Sequence, residues 1–385
     1  MRVLVVNWAW PSHFMPLVPV LSALRAAGAD VRVASQPMLQ RVVTDAGLVF
    51  VPAGDDVDHS ALRARTAEAA PRATEIWQVD ERTRMTQVFA VFAERARLML
   101  DDTVDYAQRW QPDLVFYEPT SFAGPLVAGL LGVPAIRHIH GVDMTYRARE
   151  ATPELVAPLA EQLGIPLPDL LGTRTVDPCP PALQIPTETT STTVRYIPYN
   201  GPAVIPAWLA EPPTVPRICL TWGTTVTAQG GEFLLPEVLA ALDGLELDVV
   251  VTVRAAEIEH LGPLPSNVRA VSGLALHLLV PSCALVIHQG GFGTMLTSVD
   301  AGVPQLLLPQ FPHHMLPAEQ LRGTGAAAVL PVADFDRGVV RELVLRLVGD
   351  CPERVATAEL RAELRAQPTP AQVAPELLNL GKGTP

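Results

Sequence analysis

The segment from Cys283 to Leu321, CALVIHQGGFGTMLTSVDAGVPQLLLPQFPHHMLPAEQL, leaves this chain few folding options. An apolar run, Ala284 to Ile287, leads into a turn carrying Gly290, Gly291 and Gly293. A short helix begins at Thr294 and stops at Gly302, and a second apolar run covers Gln305 to Leu308. Two buried strands joined by a helix must lie parallel in one sheet, so the pattern predicts a βαβ unit. The glycines allow the backbone to approach a ligand closely. The helix behind them directs unpaired N–H groups and the positive end of its dipole at that ligand. An anionic group, most simply a diphosphate, fits such a turn.

The same alternation runs through the rest of the chain. Val3 to Val6 reads as a strand, NWAWPSHF as the loop after it, and Leu17, Val20, Leu21 and Leu24 as one face of a helix that ends at Gly28. Further strands are predicted at Val31 to Ala34, Leu48 to Val51, Leu114 to Tyr117 and Ala135 to Ile139. A charged, helical stretch from Ala61 to Trp110 interrupts them. Prolines crowd Gly164 to Pro216, which therefore reads as a domain linker. The pattern then restarts with Ile218 to Trp222, a helix around Leu234 to Leu242, Val249 to Val253 and Val268 to Val271. The fold class is α/β, with two Rossmann-like doubly wound domains facing each other across a cleft. The expected divisions are 1–205, 206–365 and a C-terminal helix over 366–385 that returns to the first domain.

Length and charge narrow the function classes. A chain of 385 residues is long enough for two domains with proper cores. Its 28 basic and 40 acidic residues give a net charge of −12, which disfavours nucleic acid or an anionic membrane as the main partner. Cys179, Cys219, Cys283 and Cys351 lie far apart, with neither zinc-site nor disulfide spacing, which fits a reducing cytoplasm. No apolar run reaches the length of a signal sequence or a membrane span, so a cytoplasmic protein is expected. Oligomeric state is left open, a homodimer included.

The wording around the glycine turn resembles the donor-binding signature of family 1 glycosyltransferases of the antibiotic and polyketide branch. There HHGGxGT is followed by AGVPQLLLP and a stretch ending in Asp-Gln. The resemblance extends from RVLVV at the start through PYNG and LTWGT to the final proline-led helix. It implies a GT-B fold, a nucleotide-sugar donor as co-substrate with no cofactor, and a small-molecule polyketide acceptor. By position, His13 matches the histidine that takes a proton from the acceptor hydroxyl, and Glu118 in LVFYEPTSF stands where the family usually has an aspartate. Left to themselves, the two residues read as a capping or surface histidine and a helix-capping acid.

On the donor side the resemblance implies contacts from Gly223, Thr224, the backbone around Leu274, His288, Gln289, Gly290, Gly291, Gly293 and Thr294. Gln289 replaces the family's diphosphate-binding histidine, and His288 by itself also reads as a satisfied core residue. His313 and His314 replace the Asp-Gln pair that grips sugar hydroxyls. Losing that carboxylate favours a sugar with fewer hydroxyls, and the resemblance implies a dTDP-deoxysugar, common in that branch, over UDP-glucose. Adjacent histidines also raise a metal reading. His138 and His140 share a strand face, but two histidines without a nearby cysteine or carboxylate do not make a zinc site, so no metal is expected. Trp8, Trp10, Phe14, Trp77, Met85, His138, His140 and Met144 are expected to line an apolar acceptor pocket, although core packing is the default for each aromatic and methionine.

The expected reaction is direct displacement with inversion: His13 deprotonates the acceptor, its oxygen attacks the anomeric carbon, and the diphosphate leaves into the glycine turn. Attack by an aromatic carbon, a nucleotide-sugar epimerase and a non-catalytic sugar-nucleotide-binding helper are the alternatives. A nicotinamide enzyme is disfavoured, because NWAWPSHF contains no glycine.

Overall fold

Short runs of β-branched and aliphatic residues, most fully buried at the sheet centres, supply the strands of two parallel sheets in a computed structural model that describes residues 1–58, 80–223 and 233–382. The chain divides into two units. The first comprises Met1–Pro178, Pro186–Val194 and the C-terminal segment from Pro368; the second comprises Cys179–Ile185 and Arg195–Gln367.

In the first unit the strands are β1 (Arg2–Val6), β2 (Asp30–Ser35), β3 (Val49–Pro52), β4 (Leu114–Tyr117), β5 (Ala135–His138), β6 (Arg174–Asp177) and β7 (Ser191–Thr193). Their order is β3-β2-β1-β4-β5-β6-β7, and every pairing is parallel. The strand order therefore reverses between β1 and β4, and the loops leaving the carboxyl ends of those two strands open a crevice there. The helix Pro370–Leu380, opened by a Thr369–Gln372 capping box, packs on the helix Val18–Ala26 of the same unit.

The second unit repeats the plan with β8 (Arg217–Thr221), β9 (Asp248–Thr252), β10 (Val268–Val271), β11 (Leu285–His288), β12 (Gln305–Leu307) and β13 (Ala327–Val329). The order β10-β9-β8-β11-β12-β13 is again parallel throughout and reverses between β8 and β11. Ile218, Leu220, Val249, Val251, Leu285, Ile287 and Leu306 form the centre of its core.

The proline-rich region departs from the linker expected of it. Two strands lie inside it: β6 uses a proline-free run beside β5, and β7 pairs with β6 alone at the sheet edge. An edge strand tolerates neighbouring prolines because one side of its backbone has no ladder to complete. The loop after β1 also differs, since it contains a short helix, Pro11–Phe14, which carries His13. Of the helical stretch expected from Ala61, the described part is Glu81–Trp110, N-capped by Asp80 through Thr83 N at 3.0 Å.

One glycine sets how closely the helix Ala123–Leu131 follows β4. A Cβ on Gly124 would lie 2.5 Å from Cβ of Tyr117, a side chain with no exposed surface and no room to withdraw. Gly124→Ala is expected to destabilise the first unit by about 1–3 kcal/mol, as overpacking does. A lower urea midpoint measures this; an unchanged one would mean that β4 and the helix separate freely.

Candidate active site

The register of β1 and β4 brings the first group of site residues together. Val6 pairs with Tyr117, so the next residues, Asn7 and Glu118, leave the sheet side by side, and Glu118 N donates to Val6 O at 3.2 Å. The β1 loop is tied back by Ala9 N to Gln36 Oε1 at 2.6 Å before Pro11 begins its short helix. That helix delivers His13 to Glu118, with Nδ1 2.7 Å from Oε1.

Glu118 has no exposed surface, so its charge must be answered locally. Oε1 also accepts from Thr120 N at 3.1 Å and Thr120 Oγ1 at 2.6 Å, and Oε2 accepts from Ser121 Oγ at 2.7 Å. Burial pushes the carboxyl pKa up, but the charge and hydrogen bond of His13, then His140 and Thr120, outweigh it and hold the group at about 2. An ionised carboxylate only accepts, so a neutral His13 ring carries its proton on Nδ1 and its lone pair on Nε2. His13 remains 26% exposed and can meet a substrate.

Trp8 supports this arrangement from behind. Its backbone N–H donates to Ser121 Oγ at 3.0 Å and its indole N–H to Thr120 Oγ1 at 2.9 Å, fixing both hydroxyls that hold Glu118. The indole edge meets the His13 ring at 5.0 Å, and the Arg95 guanidinium lies 3.7 Å from the indole centroid on the ring face. Thr120 and Ser121 were missed from sequence. The available signal was a pair of hydroxyl residues two and three places after an acid at a strand end, the EPTS of this chain.

Among the other residues expected at an acceptor pocket, His140 lies closest to the dyad. Its ring centroid is 4.6 Å from that of His13, and Nε2 is 3.8 Å from Glu118 Oε1. The β5–His140 segment is pinned by a buried pair, Arg137 to Asp143 at 2.6 Å, with Thr145 and Thr175 completing the set. Trp10 and Met85 are half-buried against the core that contains Trp8, and Met144 is half-buried in the first turn after Asp143. Phe14 has no exposed surface, because the short helix turns it into the core, so it does not line a pocket. His138 packs on Phe116 at 5.8 Å with 1% exposure, and burial lowers its pKa to about 4; it too belongs to the interior. Trp77 lies outside the described residues.

In the second unit β8 and β11 pair up to Thr221 and His288, which sets the Trp222–Gly223 turn beside the glycine turn. Gly223 adopts φ 65°, and a Cβ there would lie 2.5 Å from Gln289 Nε2. Gly290 adopts φ 103° with His314 against it, a Cβ being 3.4 Å from His314 Cβ. The helix starts at Phe292 rather than Thr294, with Gly291 as its N-cap and no side chain capping its first N–H groups. Those donors face the turn, and Gly293 and Thr294 lie in that first turn.

His288 is fully buried. Its Nδ1 accepts from Gly290 N at 3.1 Å and its Nε2 bonds Gln305 Oε1 at 2.9 Å, so both nitrogens are used in shaping the turn, and burial lowers its pKa to about 4. Gln289 is 3% exposed, and its Oε1 has no hydrogen-bond partner among the described residues. His314, 5% exposed, likewise has an unpartnered Nδ1, and burial first, then His313, keeps its pKa well below the usual histidine value. His313 stacks on Phe311 at 5.4 Å. Leu274 packs half-buried beside Gly273, whose φ is 69°. Thr224 lies outside the described residues.

Glu118→Gln keeps the shape but removes the charge that fixes the His13 tautomer, and is expected to lower turnover about 10²–10⁴-fold. The folded carboxyl titrates below its unfolded value of about 4.3. Its stabilisation is therefore complete above that pH and lost as pH falls toward about 2. The variant should flatten this acid limb in urea titrations; an unchanged limb would mean that Glu118 carries no stabilising charge.

Comparison with known proteins gives the family of the chain. Models of the N-terminal and C-terminal domains of erythromycin biosynthesis protein CIII-like proteins match residues 22–223 and 236–380. The chain is 35% identical to 10-deoxymethynolide desosaminyltransferase of Streptomyces venezuelae, over 99% of this chain and 97% of that protein. It is 36% identical to TDP-daunosamine transferase DnrS of Streptomyces peucetius, with the same coverage of 99% and 97%. The crystal structure of glycosyltransferase VinC in complex with dTDP superposes with a TM-score of 0.84 at 32% identity, covering 99% of this chain and 100% of that one. The chain belongs to the EryCIII-like family and is a GT-B glycosyltransferase of antibiotic biosynthesis.

Proposed function

We propose that the protein is an inverting O-glycosyltransferase that moves a deoxysugar from a dTDP-sugar to a hydroxyl of a polyketide-type acceptor. The observation that carries this reading is the 2.7 Å contact between His13 and a fully buried Glu118. His13 Nε2 takes the hydroxyl proton, the freed oxygen attacks the anomeric carbon, and the bond to the diphosphate breaks on the opposite face. Glu118 stabilises the resulting imidazolium without itself accepting the proton. A base arranged for hydroxyl activation favours oxygen over carbon as the nucleophile.

The leaving diphosphate is assigned to the turn at Gly290 and Gly291, where the N–H groups at the start of the helix Phe292–Ala301 offset its growing charge. The dTDP bound by VinC and the TDP-sugar named for DnrS support the choice of nucleotide. The sugar is assigned to the neighbourhood of His314, whose buried Nδ1 can meet one hydroxyl beside Gly290. Without a carboxylate there, a deoxysugar leaves fewer hydroxyls unmet. The first unit is assigned the acceptor, with Trp8, Trp10, Met85, His140 and Met144 around the dyad. The desosaminyltransferase relative, whose name specifies 10-deoxymethynolide, motivates the polyketide assignment.

Calorimetry with dTDP-sugars, followed by transfer assays on polyketide acceptors, tests the reading. Gly291→Asp places a carboxylate at the helix N-terminus and is expected to abolish dTDP binding. His13→Ala should retain dTDP binding and lose transfer by about 10²–10⁴-fold. Transfer undiminished in His13→Ala would overturn the base assignment. Binding without transfer by the wild type to any acceptor would favour the helper reading.

A further inference from the structure

His140 presents a problem that the transfer reaction does not solve. Its ring is nine-tenths buried, and Nε2 has no hydrogen-bond partner among the described residues although it points toward a carboxylate 3.8 Å away. A buried polar nitrogen in that condition calls for a ligand that is sometimes present. The ligand atoms of His13, Glu118 and His140 all lie within 4.8 Å of one another.

We propose that these three residues form a capture site for a divalent transition-metal ion of the zinc class, and that occupancy switches off the base. Two imidazoles and one carboxylate, with a fourth position open, form a familiar zinc donor set. Bond lengths of about 2.0–2.1 Å put tetrahedral ligand atoms roughly 3.3 Å apart. The present separations of 2.7 Å from His13 to Glu118 and 3.8 Å from His140 to Glu118 lie on either side of that value. Small side-chain adjustments therefore suffice. The carboxylate supplies negative charge in a buried setting, and the Arg137–Asp143 pair holds the segment carrying His140. His13 keeps 26% exposure, so an ion can enter from its side.

Capture balances simply. The Nδ1–H bond of His13 breaks and an Nδ1–metal bond forms, while Nε2 takes up a proton, so the ring stays neutral. Glu118 Oε1 contributes a lone pair, as does His140 Nε2 with its own proton on Nδ1. The nitrogen needed to accept the substrate proton now carries one. The ion thus acts as a reversible inhibitor that traps His13 in the unproductive tautomer.

The site is independent of the transfer reading, because binding is measured without donor or acceptor. Zinc chloride is titrated calorimetrically into the full chain, and cobalt(II) is added separately to record its visible absorption. One equivalent is expected to bind, with a cobalt band of low-coordinate nitrogen and oxygen ligation. His140→Ala and the more conservative His140→Gln, each checked for an unchanged thermal melt, are expected to weaken binding about 10–100-fold or more. If transfer is also detected, zinc should inhibit it and EDTA should restore it. No stoichiometric binding by the wild type would overturn the proposal. So would equal affinity in folded His140 variants, which would place the ion on other histidines.

Discussion

A carboxylate with no exposed surface is stable only if its oxygens are met, and much of the first unit's crevice is organised around meeting those of Glu118. The backbone N–H and hydroxyl of Thr120, the hydroxyl of Ser121 and the ring of His13 all point at it. Trp8 orders the two hydroxyls and also packs against His13. The His13 ring is thus oriented by a fully buried carboxylate, and a shift of any neighbour would be transmitted to the imidazole. The extra methylene of glutamate over aspartate fits this plan, since the side chain reaches His13 while still receiving both hydroxyls.

The second unit uses the same topological position for a different purpose. Where β8 and β11 diverge, two turns meet, and glycines at Gly223 and Gly290 accept positive φ so that the backbone, Gln289 and His314 can crowd together. His288 and Gln305 fix the glycine turn from below, leaving the helix N–H groups uncapped above it. The first unit thus places an imidazole against a buried carboxylate at its crevice, and the second leaves backbone N–H donors at its own.

Strands that feed these crevices were legible in the sequence because each is a dense apolar run ending in polar residues or glycine: Val3 to Val6, Leu114 to Tyr117, Ile218 to Trp222 and Ala284 to Ile287. β6 and β7 were not, since proline density masked runs only four and three residues long. The pairing of His13 with Glu118 depended on a resemblance; spacing of 105 residues says nothing until the strand order is known. His140 was read as pocket lining because its carboxylate neighbour comes from another strand. The one-residue difference between His288 and Gln289 decides which side chain turns inward, and a strand's alternation leaves that choice to the register. Phe14 and His138 were drawn toward the site by proximity in sequence, but their rings pack into the interior.

The 2.7 Å contact with Glu118 is expected to hold a neutral His13 with its proton on Nδ1 and its lone pair on Nε2. Nitrogen-15 NMR of the histidine rings in the full-length protein, with His13 assigned by its loss in His13→Gln, observes this directly. In the neutral ring the expected result is a protonated Nδ1 with a strongly downfield, hydrogen-bonded proton and an unprotonated Nε2, with the downfield proton disappearing in Glu118→Gln. A His13 ring that carries its proton on Nε2 would contradict it.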